Sequence, residues 1–468
     1  MSFFNDIKFN INSFKGDILN TLKSSFRPEQ ILRNALNQSL ADLSVPRGDL
    51  NNIRPGDVVI ESIALVSDDG HKVADLTTHV TEFNVYESIL SPIMYATFAL
   101  RDATGQEEHF RFSGHEMIVV RMNTPQCDVV EYKMHVMGEP YDKKISDNNK
   151  QTTYKINCCS LEAYLNAGPG FIQFMEYKDN VKNVVEKILK DNLNTSKNLH
   201  IDSTKGIEEG KFLLQHPFEA ISHLKHTARS PRYPSHLFVF FENKNGYYFT
   251  TVERLIESGR KEQDANHTDK VFFFDTARNE DVAQAKMRNI IAYNKISGND
   301  AGAKLVYGTG VRTAGIDTVL GNYTQSLMKT GAESSFQRSD STGVNKNYPD
   351  MAGMYGARNP VRKLAVLNDV YDNHEERLSK MNSAQTYAIS LVENVSQIEV
   401  YGDTELTVGD VISIDLPTAT SMASFDGRIN EKDSGNYLVA ALRHIVLNSD
   451  RPQHVTCMEL LKVGVKEK

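Results

Sequence analysis

The sequence predicts an α+β fold, mainly β, in which two tube-like antiparallel β-barrel domains flank a mixed α/β middle region, with a helical N-terminal extension. Three observations predict it. Apolar residues alternate with polar ones in Tyr132, Met134, Val136 and again in Tyr154, Ile156, Cys158, the period of a strand with one wet face. The same alternation returns near the C-terminus from Val411 onward, between Leu406 and Pro417. Between these regions Val181, Val184, Val185, Ile188, Leu189 and Leu193 recur at helical spacing. A chain of 468 residues is too long for one ordinary core, so several domains are expected.

Residues 1–55 read as a helical arm, with Ile31, Leu32, Ala35, Leu36, Leu40 and Leu43 on one stripe. Two readings stay open: helices packed on the protein's own body, or an arm docked on a neighbouring subunit. Pro46, Gly48 and Arg54-Pro55-Gly56-Asp57 break the pattern. Residues 56–167 form the first β domain. Its strands are expected at Val58–Ile60, Ile63–Val66, Leu76–Leu90, Met94–Gly105, His115–Met122, Glu131–Glu139 and Thr152–Ser160, and Asp69-Gly70 closes a hairpin. Gly114, ahead of a buried strand, marks a tight backbone turn.

Residues 168–275 make the mixed domain, with the helix above, a second from Pro217 to Ala228, and a hairpin of Phe238–Glu242 and Tyr247–Val252 about a turn at Asn243–Gly246. The aromatic residues of that hairpin read as core and subunit packing. Residues 276–395 are an irregular α/β region. Lys270–Asp275 and Ala303–Val306 read as strands, Asn279–Ile296 as helix or strand, Ser297–Gly302 and Thr330–Gly356 as surface loops, and Asn373–Val392 as a connecting helix. Residues 396–468 form the second tube-like domain, with strands at Val411–Leu416, Ser434–Leu447 and His454–Leu460.

Composition narrows the chemistry. With 40% hydrophobic and 24% charged residues the balance is that of globular protein. A net charge of −8 supplies no global basic surface for sequence-independent nucleic-acid binding. No apolar run reaches the roughly 18 residues of a membrane helix, and the start lacks a basic region followed by an apolar core, so neither membrane insertion nor a secretory signal is expected. Cys127, Cys158, Cys159 and Cys457 read as reduced, mostly buried thiols, the adjacent pair pointing to opposite faces of a strand.

No catalytic, cofactor-binding or metal-binding residue is assigned, and no cofactor. His223 and His226 lie three apart on a helix but lack a carboxylate at matching spacing. His115-Glu116 and His374-Glu375-Glu376 are ordinary strand and helix-start residues. Gly308-Thr309-Gly310 with Gly315 fits neither phosphate-loop spacing and reads as a turn.

The order of the motifs is informative as a set. "VYESILSP" (Val85–Pro92), "FSGHE" (Phe112–Glu116) and "YKINCCSLEAYLNA" (Tyr154–Ala167) are followed by "HPFEAISHLKHTAR" (His216–Arg229) with its aromatic hairpin, then "LTVGDVISIDLP" (Leu406–Pro417) and "SGNYLVAALRHIV" (Ser434–Val446). This series resembles the central baseplate hub of contractile-tailed bacteriophages, a family related to type VI secretion spike hubs. The resemblance implies a structural protein and no enzyme. It implies a homotrimer whose six β domains form a ring matching a threefold central spike to a sixfold tail tube, with a bore for DNA in transit. Spike and tube or tube-initiator proteins are the implied partners, with tape measure and baseplate wedge proteins as further ones. The implied location is the virion tail baseplate, assembled in the host cytoplasm. A tail-associated peptidoglycan hydrolase and the hub of a contractile secretion or injection machine are the competing readings. Residues 1–50 and 330–356 have no counterpart in the resemblance.

Overall fold

In the computed structural model, the described residues are 55–464 apart from 68–71, 106–111, 113, 125–126, 147–150, 169, 267–269, 275–287, 297–310, 318–322, 329–360, 368–379, 381–382, 385–386, 389–390, 392–393, 419–428 and 431–432. The N-terminal arm, the expected strand Ala303–Val306, the loop Thr330–Gly356, His374–Glu376 and Gly308–Gly310 lie outside them.

The first barrel consists of β1 (Val59–Val66), β2 (Val73–Asp75), β3 (Val80–Ser88), β4 (Tyr95–Asp102), β5 (Met117–Asn123), β6 (Val130–Val136), β7 (Tyr141–Ser146) and β8 (Gln151–Cys159). They pair antiparallel in the order β3-β4-β8-β6-β5-β1-β2, with β7 alongside β8. The two segments expected at Val58–Ile60 and Ile63–Val66 are one strand. A bulge between Ile60 and Ser62 interrupts the alternation, which is why the sequence reads as two. Every second residue faces inward, so Phe83, Phe98, Tyr132, Tyr154, Ile118 and Val120 fill the interior. Gly114 has φ +83°, and a Cβ there would stand 3.0 Å from the Gly138 Cα, so the turn needs glycine on both counts.

At the end of β8 the two cysteines part company. Cys158 joins the first barrel's core and Cys159 the core of the middle region, as adjacent strand residues must. All four thiols are free; Cys127 and Cys457 are half-buried rather than buried.

The middle region runs α1 (Leu161–Ala167), β9 (Ile172–Asp179), α2 (Val181–Lys187), a π turn (Ile188–Asn192), β10 (Leu199–Ile201), β11 (Glu208–Gln215), α3 (Pro217–Thr227), β12 (Phe238–Asn243), β13 (Gly246–Thr251) and α4 (Val252–Asn266). The expected stripe Val181 to Leu193 is the buried face of α2 and its π turn, capped by Asn180. The β12–β13 hairpin is a wall with two buried faces. Phe238, Phe240, Tyr247 and Phe249 pack into the middle core, while Val239 and Phe241 pack into the C-terminal core. The hairpin ends at Thr251, one residue short of the expected Val252, and the helix α4 that follows at once was not anticipated. Also unanticipated is the ribbon formed by β9 and β11.

The second barrel uses β14 (Val271–Phe273), β15 (Ile290–Lys295), β19 (Val395–Tyr401), β20 (Val411–Asp415), β21 (Gly435–Leu447) and β22 (Gln453–Gly464). Pairing runs β14-β20-β21-β22-β19-β15, and Phe273, whose N–H donates to the Arg288 carbonyl, bridges Asn289 to bring the two ends together. Between β15 and β19, a separate three-stranded sheet joins β16 (Val311–Asp317), β17 (Tyr323–Met328) and β18 (Val361–Leu367). Gly315 therefore sits inside a strand and not in a turn; a glycine in a strand gives the same local signal as a turn. No described helix is long and apolar enough to cross a membrane.

Candidate functional site

One strand serves both barrels. Residues 435–438 of β21 pair with β20, and Ala441–Leu447 pair antiparallel with β3 from Ser88 to Glu82, so the barrels share one 14-stranded sheet. The seam is built along that junction, and buried polar side chains close it from three parts of the chain.

Glu87 on β3 is 2% exposed. Its carboxylate accepts the Thr407 hydroxyl at 2.6 Å and the backbone N–H groups of Val408 and, from the hairpin turn, Lys244. Burial pushes its pKa up, opposed by those hydrogen bonds and by the Lys244 charge. Lys244 in turn donates to the Thr404 carbonyl, and Asn243 Nδ2 donates to the Val408 carbonyl at 3.2 Å. The tip of the middle hairpin is thereby pinned into the meeting point of the two barrels.

A second cluster lies on the other face of that hairpin. Glu242 and Glu162 are buried, and Lys197 lies between them, 2.6 Å from Glu162 Oε2 and bonded to Glu242 Oε1. The second Glu242 oxygen accepts the Met94 N–H at 3.2 Å and the Tyr247 hydroxyl at 3.1 Å. Burial raises the Glu242 pKa. For Lys197, burial pulls downward and the two carboxylates more than reverse it.

A third contact, Thr124 with Thr404, joins the barrels by hydroxyls 3.0 Å apart. Beside it, Cys127, Asp403 and Glu405 bring a thiol and two carboxylates within 4.8 Å of one another. Burial, with the two carboxylates adding, pushes the Cys127 thiol up to about 11, which leaves it a protonated, unreactive group. Within β21 and β22, His444 Nδ1 and His454 Nε2 are 2.9 Å apart and both rings are fully buried. The His454 ring occupies the space above Gly402, where a Cβ would come within 1.9 Å of its Cγ. Gly402→Ala is expected to cost about 1–3 kcal/mol by overpacking, read as a lower urea midpoint at unchanged slope.

Two of the histidines singled out in the sequence make ring or hydroxyl contacts. His223 meets the Phe212 ring edge-on, and His115 Nδ1 lies 2.7 Å from the Tyr164 hydroxyl. Glu116 caps its own turn by accepting the Gly114 and His115 N–H groups. Sequence reasoning assigned no role to Glu87, Glu162, Lys197, Glu242, His444 and His454. Position inside a strand or helix with apolar neighbours marked all but Lys197, which lies in the bend before β10.

No protein-family profile matches the chain, and no curated protein matches it by sequence. Solved structures do. The tail protein from Neisseria meningitidis MC58 is 11% identical and superposes with a TM-score of 0.50 over 86% of this chain and 96% of that one. The chain has the fold of that tail protein. The chain is also similar to the 43 kDa tail protein of prophage MuSo2 from Shewanella oneidensis (8% identity, TM-score 0.47, 86% of this chain and 98% of that) and to the Francisella PdpA-VgrG complex (13%, 0.48, 99% and 61%). The assignment of the tail-protein fold rests on the Neisseria protein.

Proposed function

We propose that this chain is a structural component of a tail baseplate, three copies of which close a ring of six β barrels between a threefold spike and a sixfold tube. The observation that carries this reading is the β3–β21 junction. It fixes two barrels edge to edge within one chain, which is the arrangement a six-part collar built from three chains requires. In this reading residues 56–167 form one ring domain and residues 396–468, completed by β14 and β15, form the other, while the rest of 168–395 decorates the ring. Spike and tube proteins dock on its opposite faces and DNA passes through the bore. The buried seam groups do structural work, and no enzymatic role is assigned to them.

Negative-stain imaging of the purified chain tests it. The expected result is a threefold ring with a central hole, and a monomer at every concentration would sink the proposal.

A further inference from the structure

The β9–β11 ribbon stands apart from the larger sheets, and among the described residues no strand flanks its outer edges. An isolated pair of strands is marginally stable in water. Its surface is nonetheless apolar at one end: Phe174 is 60%, Leu213 62% and Leu214 65% exposed, with Phe174 and Leu213 directly opposite in register. Leu214 also has φ +51°, a left-handed conformation that costs a bulky L-residue about 1–2 kcal/mol. The fold spends strain to hold a leucine in solvent, which makes physical sense if the leucine is buried in an assembly.

A complementary surface lies on the first barrel. Strand β7 is paired with β8 alone, all of residues 141–145 are exposed, and Tyr141 and Ile145 stand out at 41% and 72%. Charge matches as well. β7 carries Lys143 and Lys144 against Asp142, with Lys155 beside it, whereas the ribbon carries Glu176, Asp179, Glu208 and Glu209 against Lys178 and Lys211.

We propose that the β9–β11 ribbon of one copy docks on strand β7 of a second copy, with Phe174, Leu213 and Leu214 packing against Tyr141 and Ile145. The inference rests on the ring reading above and names its contact. A head-to-tail contact of this kind uses two different patches of each copy, as ring closure demands. Five apolar side chains of this kind serve as an anchor within a larger interface.

The test is sedimentation velocity on the full chain. L213D/L214D and, separately, K143E/K144E are expected to weaken self-association at least about tenfold. Combining K143E/K144E with E176K/E209K is expected to restore it. L214G guards against misfolding: it relieves the strain, so the thermal midpoint holds or rises while association still weakens. If the natural chain assembles and these variants assemble equally well, the contact is wrong and the ring reading stands. If the natural chain is monomeric throughout, the ring reading fails and takes the contact with it.

Discussion

Lys197→Ala is expected to destabilise the protein by about 3–5 kcal/mol, the cost of removing one partner from a buried charge cluster. Lys197 is the cation between Glu162 and Glu242, whose side chains are 4% and 0% exposed. Without it two buried carboxylates face one another, and one must take up a proton or draw in water. The loss concerns more than a local pair. Glu242 also receives the Met94 N–H from the first barrel, so the α1 segment, the middle hairpin and the edge of the first barrel loosen together. Urea unfolding at pH 7 measures the change. A companion variant replacing all three groups, E162Q/K197M/E242Q, is expected to recover a large part of it, because neutral groups leave no uncompensated charge. A K197A midpoint equal to that of the natural chain would show that the cluster is solvated and does not hold the seam.

Acidification from pH 7 to pH 5 is expected to cost about 2 kcal/mol through His454 alone. Burial lowers its pKa from 6.5 to about 3, and burial with the neighbouring His454 lowers His444 well below its usual value. Below about pH 6.5 the unfolded chain takes up protons that the folded chain refuses. Stability from these groups is therefore complete above pH 6.5 and drains away as pH falls toward 3. Glu87 and Glu242, whose pKa values are raised, act in the opposite sense and gain as pH falls. Comparison with H454Q isolates the histidine contribution: the variant's stability should change about 2 kcal/mol less over the same interval. Identical pH profiles for the two chains would refute it.

What the sequence disclosed follows from how much of each element has one wet face. Strands β6 and β8 alternate and were legible, as were the stripe on α2 and the proline-led start of α3; β20 was placed correctly, but its expected wet face is absent, because Val411 to Ile414 are all buried. The β12–β13 wall, though buried on both sides, was legible from the turn at Asn243–Gly246, whereas the helix α4 directly after it was not anticipated. The parallel β16–β18 pairing joins residues far apart in the chain, which no local period reports. The seam was the least legible part. Glu87 lies inside a motif noted for other reasons, but its partners Thr407 and Lys244 come from distant segments, and only folding shows that a carboxylate in a buried strand has company.

Because β21 belongs to both barrels, the angle between them is written in hydrogen-bond register and not in the length of any linker. Insertions between β17 and β18 can lengthen the chain without turning one barrel against the other. A single residue added within Ala441–Leu447 would do the reverse: every side chain beyond it would swap faces, expelling Val446 from the first barrel's interior and, with it, resetting the curvature of anything assembled from these chains.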